Sequence, residues 1–153
     1  TPDVLVADEP TTALDVTMEA QIIHLLRELR RDYNGAIVII THHLGLVGEL
    51  CDRVYVMYAG EVVEEGSTDE VYHDPRHPYT QALIACDPAN LGDQPESATL
   101  PTIPGRLPDL VQPPQGCSFA SRCPRVSDRC RSLPPPYVEV GPRHAARCHE
   151  ALP

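Results

Sequence analysis

Lysine is absent from this 153-residue chain, and all twelve of its basic residues are arginine. That excludes from it a phosphate-cradling loop ending in Gly-Lys-Ser/Thr, and none of the nine glycines lies in a run of that kind. Tryptophan is absent too, with one phenylalanine and six tyrosines, so the core is expected to be modest and largely aliphatic. No apolar run approaches the roughly 18 residues of a membrane-crossing helix, and no charged-then-apolar leader is recognisable. Any membrane association is therefore expected to come through a partner. Positive charge is scarce over most of the length. The net charge of −10 divides between residues 1–116, with 19 acidic and 6 basic groups, and residues 117–153, with 3 and 6. An acidic first part repels nucleic acid, and no nucleic-acid partner is expected.

What is present begins with Val4-Leu5-Val6-Ala7-Asp8-Glu9-Pro10. Four apolar residues read as a buried parallel strand, and the adjacent carboxylates stand at its carboxyl end, where open α/β sheets place ligands. Of such a pair, one carboxylate can hold magnesium and the other can orient water. Thr11-Thr12-Ala13-Leu14-Asp15 leads into an amphipathic helix over 16–33, with Met18, Ile22, Leu25, Leu26 and Leu29 on one face and Asn34-Gly35 at its end. Ala36-Ile37-Val38-Ile39-Ile40 is a second apolar strand, followed by Thr41-His42. Strand, helix and strand form a right-handed βαβ unit that brings Glu9 and Thr41-His42 to one sheet edge. Plainer readings stand beside these: an acidic turn after a core strand, Asp15 as a helix N-cap, and His42 as a surface group. His24 lies off the apolar stripe and reads as a solvated residue.

Further along, a short helix is expected over 44–51, then a β-hairpin whose strands, 53–58 and 61–65, flank Ala59-Gly60. Ser67-Thr68-Asp69-Glu70 has capping-box spacing, and Pro78 opens another amphipathic helix. Cys51 and Cys86 read as packing residues on helices. Residues 88–142 hold 12 of the 17 prolines and read as linker and loop. So irregular a stretch cannot easily bury an ordinary core, and another device is expected to hold residues 117–148 together. Cys117, Cys123, Cys130 and Cys148 are available, spaced C-x5-C-x6-C-x17-C, with Arg122, Arg125 and Arg129 among them.

In their order, the motifs of residues 4–66 resemble the C-terminal half of an ABC-transporter ATP-binding domain, with its Walker B, D-loop and switch-histidine motifs. His77-Pro78-Tyr79-Thr80-Gln81-Ala82-Leu83 resembles the HPY motif of ATP-binding subunits of the oligopeptide/dipeptide importer family. The resemblance implies that Asp8 helps hold Mg2+, that Glu9 polarises the attacking water, that Asp15 in the D-loop crosses a dimer interface, and that His42 contacts the γ-phosphate of ATP. His43 departs from the family's usual aspartate, while His42 keeps its place. Also implied are a second ATP-binding subunit, identical or related, two transmembrane permease subunits, an external substrate-binding protein acting indirectly, and a peripheral position on the cytoplasmic face of the cell membrane. The solute class is peptides, with nickel or glutathione in some relatives. The family's P-loop, glutamine loop and signature motif lie upstream of Walker B. Thr1 therefore reads as an internal position of a longer protein, and the fragment alone is expected to be inactive. Gly-Cys-x-Phe-x-x-Arg-Cys-Pro over 116–124 is linked in this family to a [4Fe–4S] cluster, which implies Cys117, Cys123, Cys130 and Cys148 as its ligands.

The expected architecture is thus α/β: the C-terminal half of a P-loop (ABC-type) ATPase domain over 1–66, an HPY helical extension over 67–87, a Pro-rich linker over 88–116 and an irregular Cys-rich tail over 117–153. For the tail, zinc and unconnected thiols are the alternatives to a cluster, with His144 and His149 as substitute ligands. Disulfides are disfavoured in a cytosolic ATPase, and the C-x2-C or C-x4-C knuckle usual for zinc is missing. Two other functions compete. A DNA-repair ABC ATPase would bring coiled-coil heptads or embedded zinc knuckles, neither of which is present. A metal-binding fragment without ATPase activity would use its arginines on nucleic acid, where only Phe119 and Tyr137 offer stacking.

Overall fold

A computed structural model describes residues 2–90 and 101–151. Part of the proline-rich linker, residues 91–100, and the last two residues of the tail lie outside the described residues. Two compact units result, Thr1–Cys51 and Asp52–Pro153. These units cut across the motif boundaries read from the sequence. The hairpin groups with the HPY helix and the tail rather than with the strands before it, because its strands pair with tail strands.

In the first unit, β1 (Val4–Asp8) pairs in parallel with β2 (Ala36–Ile40), Val4 opposite Ala36 and Asp8 opposite Ile40. Two parallel strands need a crossover, and α1 (Val16–Asp32) supplies it. The Asp15 carboxylate accepts from the backbone N–H groups of Thr17 and Met18 at 2.9 and 3.0 Å, so the N-cap reading of Asp15 is realised. At the other end Tyr33 is the C-cap in extended conformation, and Asn34-Gly35 follows the helix rather than capping it. Gly35 serves a close approach instead: a Cβ there would meet the Asp3 carbonyl oxygen at 2.7 Å. The strands are not fully buried as their all-apolar sequences suggest. Exposure alternates, and Val4, Val6, Val38 and Ile40 stand 46–58% exposed. One helix and α2 (Leu44–Leu50) cannot cover both faces of a two-stranded sheet, and α1 buries no residue completely.

The second unit is built on a four-stranded antiparallel sheet of order β3-β4-β6-β5, from β3 (Arg53–Tyr58), β4 (Glu61–Ser67), β5 (Tyr137–Gly141) and β6 (His144–Arg147). Ala59 and Gly60 both take positive φ, 50° and 82°, as a two-residue hairpin turn matched to strand twist requires. Ser67 and Glu70 form the expected capping box at the start of α3 (Thr68–His73). Pro78 occupies the first turn of α4 (Pro78–Ala85), with His77 as N-cap.

The tail is not irregular. It contains α5 (Asp128–Ser132) and two strands, and its lone phenylalanine, Phe119, is 1% exposed in the core with Val56, Tyr58, Val63 and Val71. Phe119 meets Tyr58 edge-on at 5.2 Å and Tyr79 at 5.5 Å, so one aromatic ring joins hairpin, HPY helix and tail. Small residues let β6 lie against β4, with Ala145 opposite Glu65 and Ala146 opposite Glu64. Proline content hid this core, because a few well-placed residues among loops suffice to make one.

Candidate functional site

At the carboxyl ends of β1 and β2, the backbone N–H of Glu9 donates to the Ile40 carbonyl at 2.8 Å, extending the strand pairing into the acidic pair. Glu9 itself has φ 47° and Ala13 φ 62°, left-handed backbone that ordinary residues adopt at a cost. The turn they shape folds the chain back so that Thr12 Oγ1 donates to Glu9 Oε2 at 2.9 Å. Glu9 Oε1 then lies 3.5 Å from His42 Nδ1. The sequence thus brings Glu9 and His42 to one edge, with Thr12 as a third member that motif reading did not single out. Both His42 and Glu9 are open to solvent, 76% and 48% exposed at the side chain. Asp8 precedes them on the same strand end and is exposed. His43, the departure from the family pattern, has Nδ1 2.9 Å from Glu19 Oε1 in the first turn of α1. Chemically, the group offers one carboxylate free for a cation and a second held by a hydroxyl beside an imidazole, a set suited to positioning water near a phosphate.

The second unit holds another candidate. Cys117, Cys123, Cys130 and Cys148, up to 31 residues apart in sequence, line one small cavity together with His77, His149 and Arg125. Cys117 N–H donates to the Cys130 carbonyl at 2.7 Å, and a Cβ at Gly116 would meet that same oxygen at 2.3 Å, so only glycine lets the two segments approach. Burial pushes the thiols of Cys117, Cys123 and Cys148 up, and crowding by neighbouring cysteines adds to it. Burial, then the nearby Arg125, hold His77 down at about 4, so its ring is neutral at physiological pH.

The arginines divide their work. Arg122 donates to the carbonyls of Pro104 and Ile103, each at 2.8 Å, and lies over the Tyr58 ring, pinning the end of the linker. Arg125 is the one of the three sequence-noted arginines that lines the cavity. Neither substitute histidine is free to replace a cysteine through Nε2. His144 Nε2 is 2.7 Å from Glu64 Oε1, and His149 Nε2 donates to the Leu133 carbonyl at 3.1 Å. Among the described residues no three His, Cys, Asp or Glu side chains could hold a metal ion as they stand. Four cysteines lining one cavity offer the thiolate donors that zinc and iron–sulfur groups both take.

Glu64 was legible only as a polar hairpin residue, yet it is wholly buried. Its carboxylate accepts from the backbone N–H groups of Arg76 and His77 at 2.7 and 2.9 Å and from His144. One side chain thereby fastens the HPY segment and β6 to β4.

The family model for the oligopeptide/dipeptide transporter C-terminal region matches residues 63–130, from the hairpin to the third cavity cysteine. Over those residues the chain is similar to that family. The resemblance extends over nearly the whole chain. The dipeptide transport ATP-binding protein DppD of Escherichia coli is 47% identical over 151 residues, 99% of this chain and 45% of its own. A Brucella ovis protein named for peptide import and ATP binding is 46% identical over 96% of this chain and 44% of its own. The chain thus spans less than half the length of these relatives. The solved cbiO1 of Clostridium perfringens, part of an ABC transporter complex, covers 48% of this chain and 29% of its own at 38% identity, with a TM-score of 0.42, too partial to bear on the fold. No helix among the described residues is long and apolar enough to cross a membrane.

Proposed function

We propose that this chain is the distal half of the ATP-binding, ATP-hydrolysing subunit of a peptide importer, with residues 1–66 completing a P-loop (ABC-type) ATPase domain. The observation that carries this reading is the grouping of Glu9, Thr12 and His42 at the ends of two parallel strands, in a chain similar along its length to peptide-transport ATP-binding proteins. In this role Asp8 holds Mg2+, which supplies charge neutralisation on the transferring phosphate. Glu9 accepts a hydrogen bond from the attacking water and orients it, while the Thr12 hydroxyl keeps its second oxygen occupied. His42 donates toward the γ-phosphate. Asp15 caps α1 and faces a second ATP-binding subunit. The exposed apolar positions of β1 and β2 are then covered by the rest of the ATPase domain. The complete subunit is peripheral on the cytoplasmic face of the membrane, drives two permease subunits, and receives solute indirectly from an external binding protein.

Within the same proposal, Cys117, Cys123, Cys130 and Cys148 hold a [4Fe–4S] cluster. Support comes from their convergence on one cavity and from the four-thiolate donor set they make up. Bound there, the cluster would supply a cross-link between the start of the tail and the residue that follows β6, and Arg125 would offset its negative charge. Cys123→Ser should lose iron and acid-labile sulfide while leaving nucleotide affinity of the longer protein intact; unchanged stoichiometry would remove the cluster assignment. For the importer itself, uptake of labelled di- and oligopeptides by cells expressing the full-length protein with its permeases should cease with Glu9→Gln. Undiminished uptake would refute the role.

A further inference from the structure

The histidine of the HPY segment does two things at once. His77 Nδ1 accepts from the Tyr79 backbone N–H at 3.0 Å, which caps α4. A neutral imidazole that accepts through Nδ1 carries its proton on Nε2. The ring is fixed from three sides. Its backbone N–H is held by Glu64, the Phe119 ring lies 5.9 Å away, and the residue is 1% exposed. It lines the cavity shared by the four cysteines. The cap spends one nitrogen and leaves the other as a donor, on a ring that lines the cysteine cavity. No motif logic asks for that, because an asparagine or serine would cap a helix as well.

We propose that His77 is a positioning residue for the cysteine-held group: its Nε2–H hydrogen-bonds a sulfur of the iron–sulfur cluster and raises its reduction potential. This rests on the cluster reading given above. Hydrogen bonds to cluster sulfurs stabilise the more negative, reduced state and are one of the levers that set potential. The HPY segment thereby links the helix N-terminus and the buried Glu64 to the electronic state of the tail.

Two variants separate the cap from the donor. His77→Asn keeps a short acceptor for the Tyr79 N–H but has no atom at the Nε2 position. His77→Gln places an amide N–H near that position and gives up the short cap. The whole chain would be loaded anaerobically with iron and sulfide, and the midpoint potential read by EPR-monitored redox titration beside iron content and thermal midpoint. Expected is a more negative potential for His77→Asn at full iron content and wild-type thermal midpoint. His77→Gln should show a near-wild-type potential at a lower thermal midpoint. A wild-type potential in His77→Asn, or equal shifts in both variants, would overturn the proposal. Failure of either variant to load iron that the wild type loads would make His77 a folding residue and overturn it too. A wild-type chain that takes up no iron or sulfide would instead remove the cluster reading, and this proposal with it.

Discussion

Two buried polar residues show how differently single side chains weigh in this chain. Glu64, wholly buried, accepts two backbone N–H groups and a histidine N–H. Truncating it strands three donors, so Glu64→Ala should cost about 3–5 kcal/mol, read as a shift in the urea midpoint. Thr80 is as buried, yet its hydroxyl has no hydrogen-bond partner. Thr80→Val keeps the shape and removes a desolvated donor, and should raise stability by about 1 kcal/mol. A loss of stability would mean that the hydroxyl is satisfied in solution. At the acidic strand end, the positive φ of Glu9 is local strain held in place by the Ile40 and Thr12 hydrogen bonds. Strain of this kind aims a carboxylate; it does not stabilise the fold.

Among the elements, α3 carries a pH signature. The Ser67 hydroxyl and then its backbone N–H hold the Glu70 carboxyl below its usual range. A depressed carboxylate stabilises the folded state above its unfolded pKa of about 4.5, and that contribution is lost as pH falls through the folded value. Glu70→Gln should therefore flatten the acid limb of the stability profile; an unchanged limb would assign it to other groups. The sheet elements were legible where apolar runs and turn residues agreed, as at β1, β2, the Ala59-Gly60 hairpin and the Ser67 capping box. The convergence of Glu9 and His42 was legible for the same reason, since strand ends converge by topology. Thr12 was not, because only the left-handed turn at Glu9 brings its hydroxyl round. Nor were β5 and β6, whose pairing with β4 is long-range and whose alanines carry no periodic signal. Glu64 escaped as well: a glutamate beside others on a hairpin reads as solvated until its partners arrive from 12 and 80 residues away.

At the scale of the molecule, the two units differ in how much they bury. The second unit has a core of valines, Tyr58 and Phe119 with Glu64 fastened inside it, whereas among the described residues of the first only Leu46 and Leu50 are buried. Backbone amides of β4 and β6 should therefore exchange with deuterium more slowly than those of β1, α1 and β2 in this chain. Faster exchange in β4 would contradict the assignment of the stable core. Under the proposed function the ranking should narrow when the remainder of an ATPase domain covers the exposed valines and isoleucine of the first sheet. The most direct measurement is ATP binding and turnover by the full-length subunit with Glu9→Gln. The account predicts nucleotide affinity near wild type with turnover lowered by about 10²–10⁴-fold, since water loses the group that orients it. Turnover at the wild-type rate would contradict it.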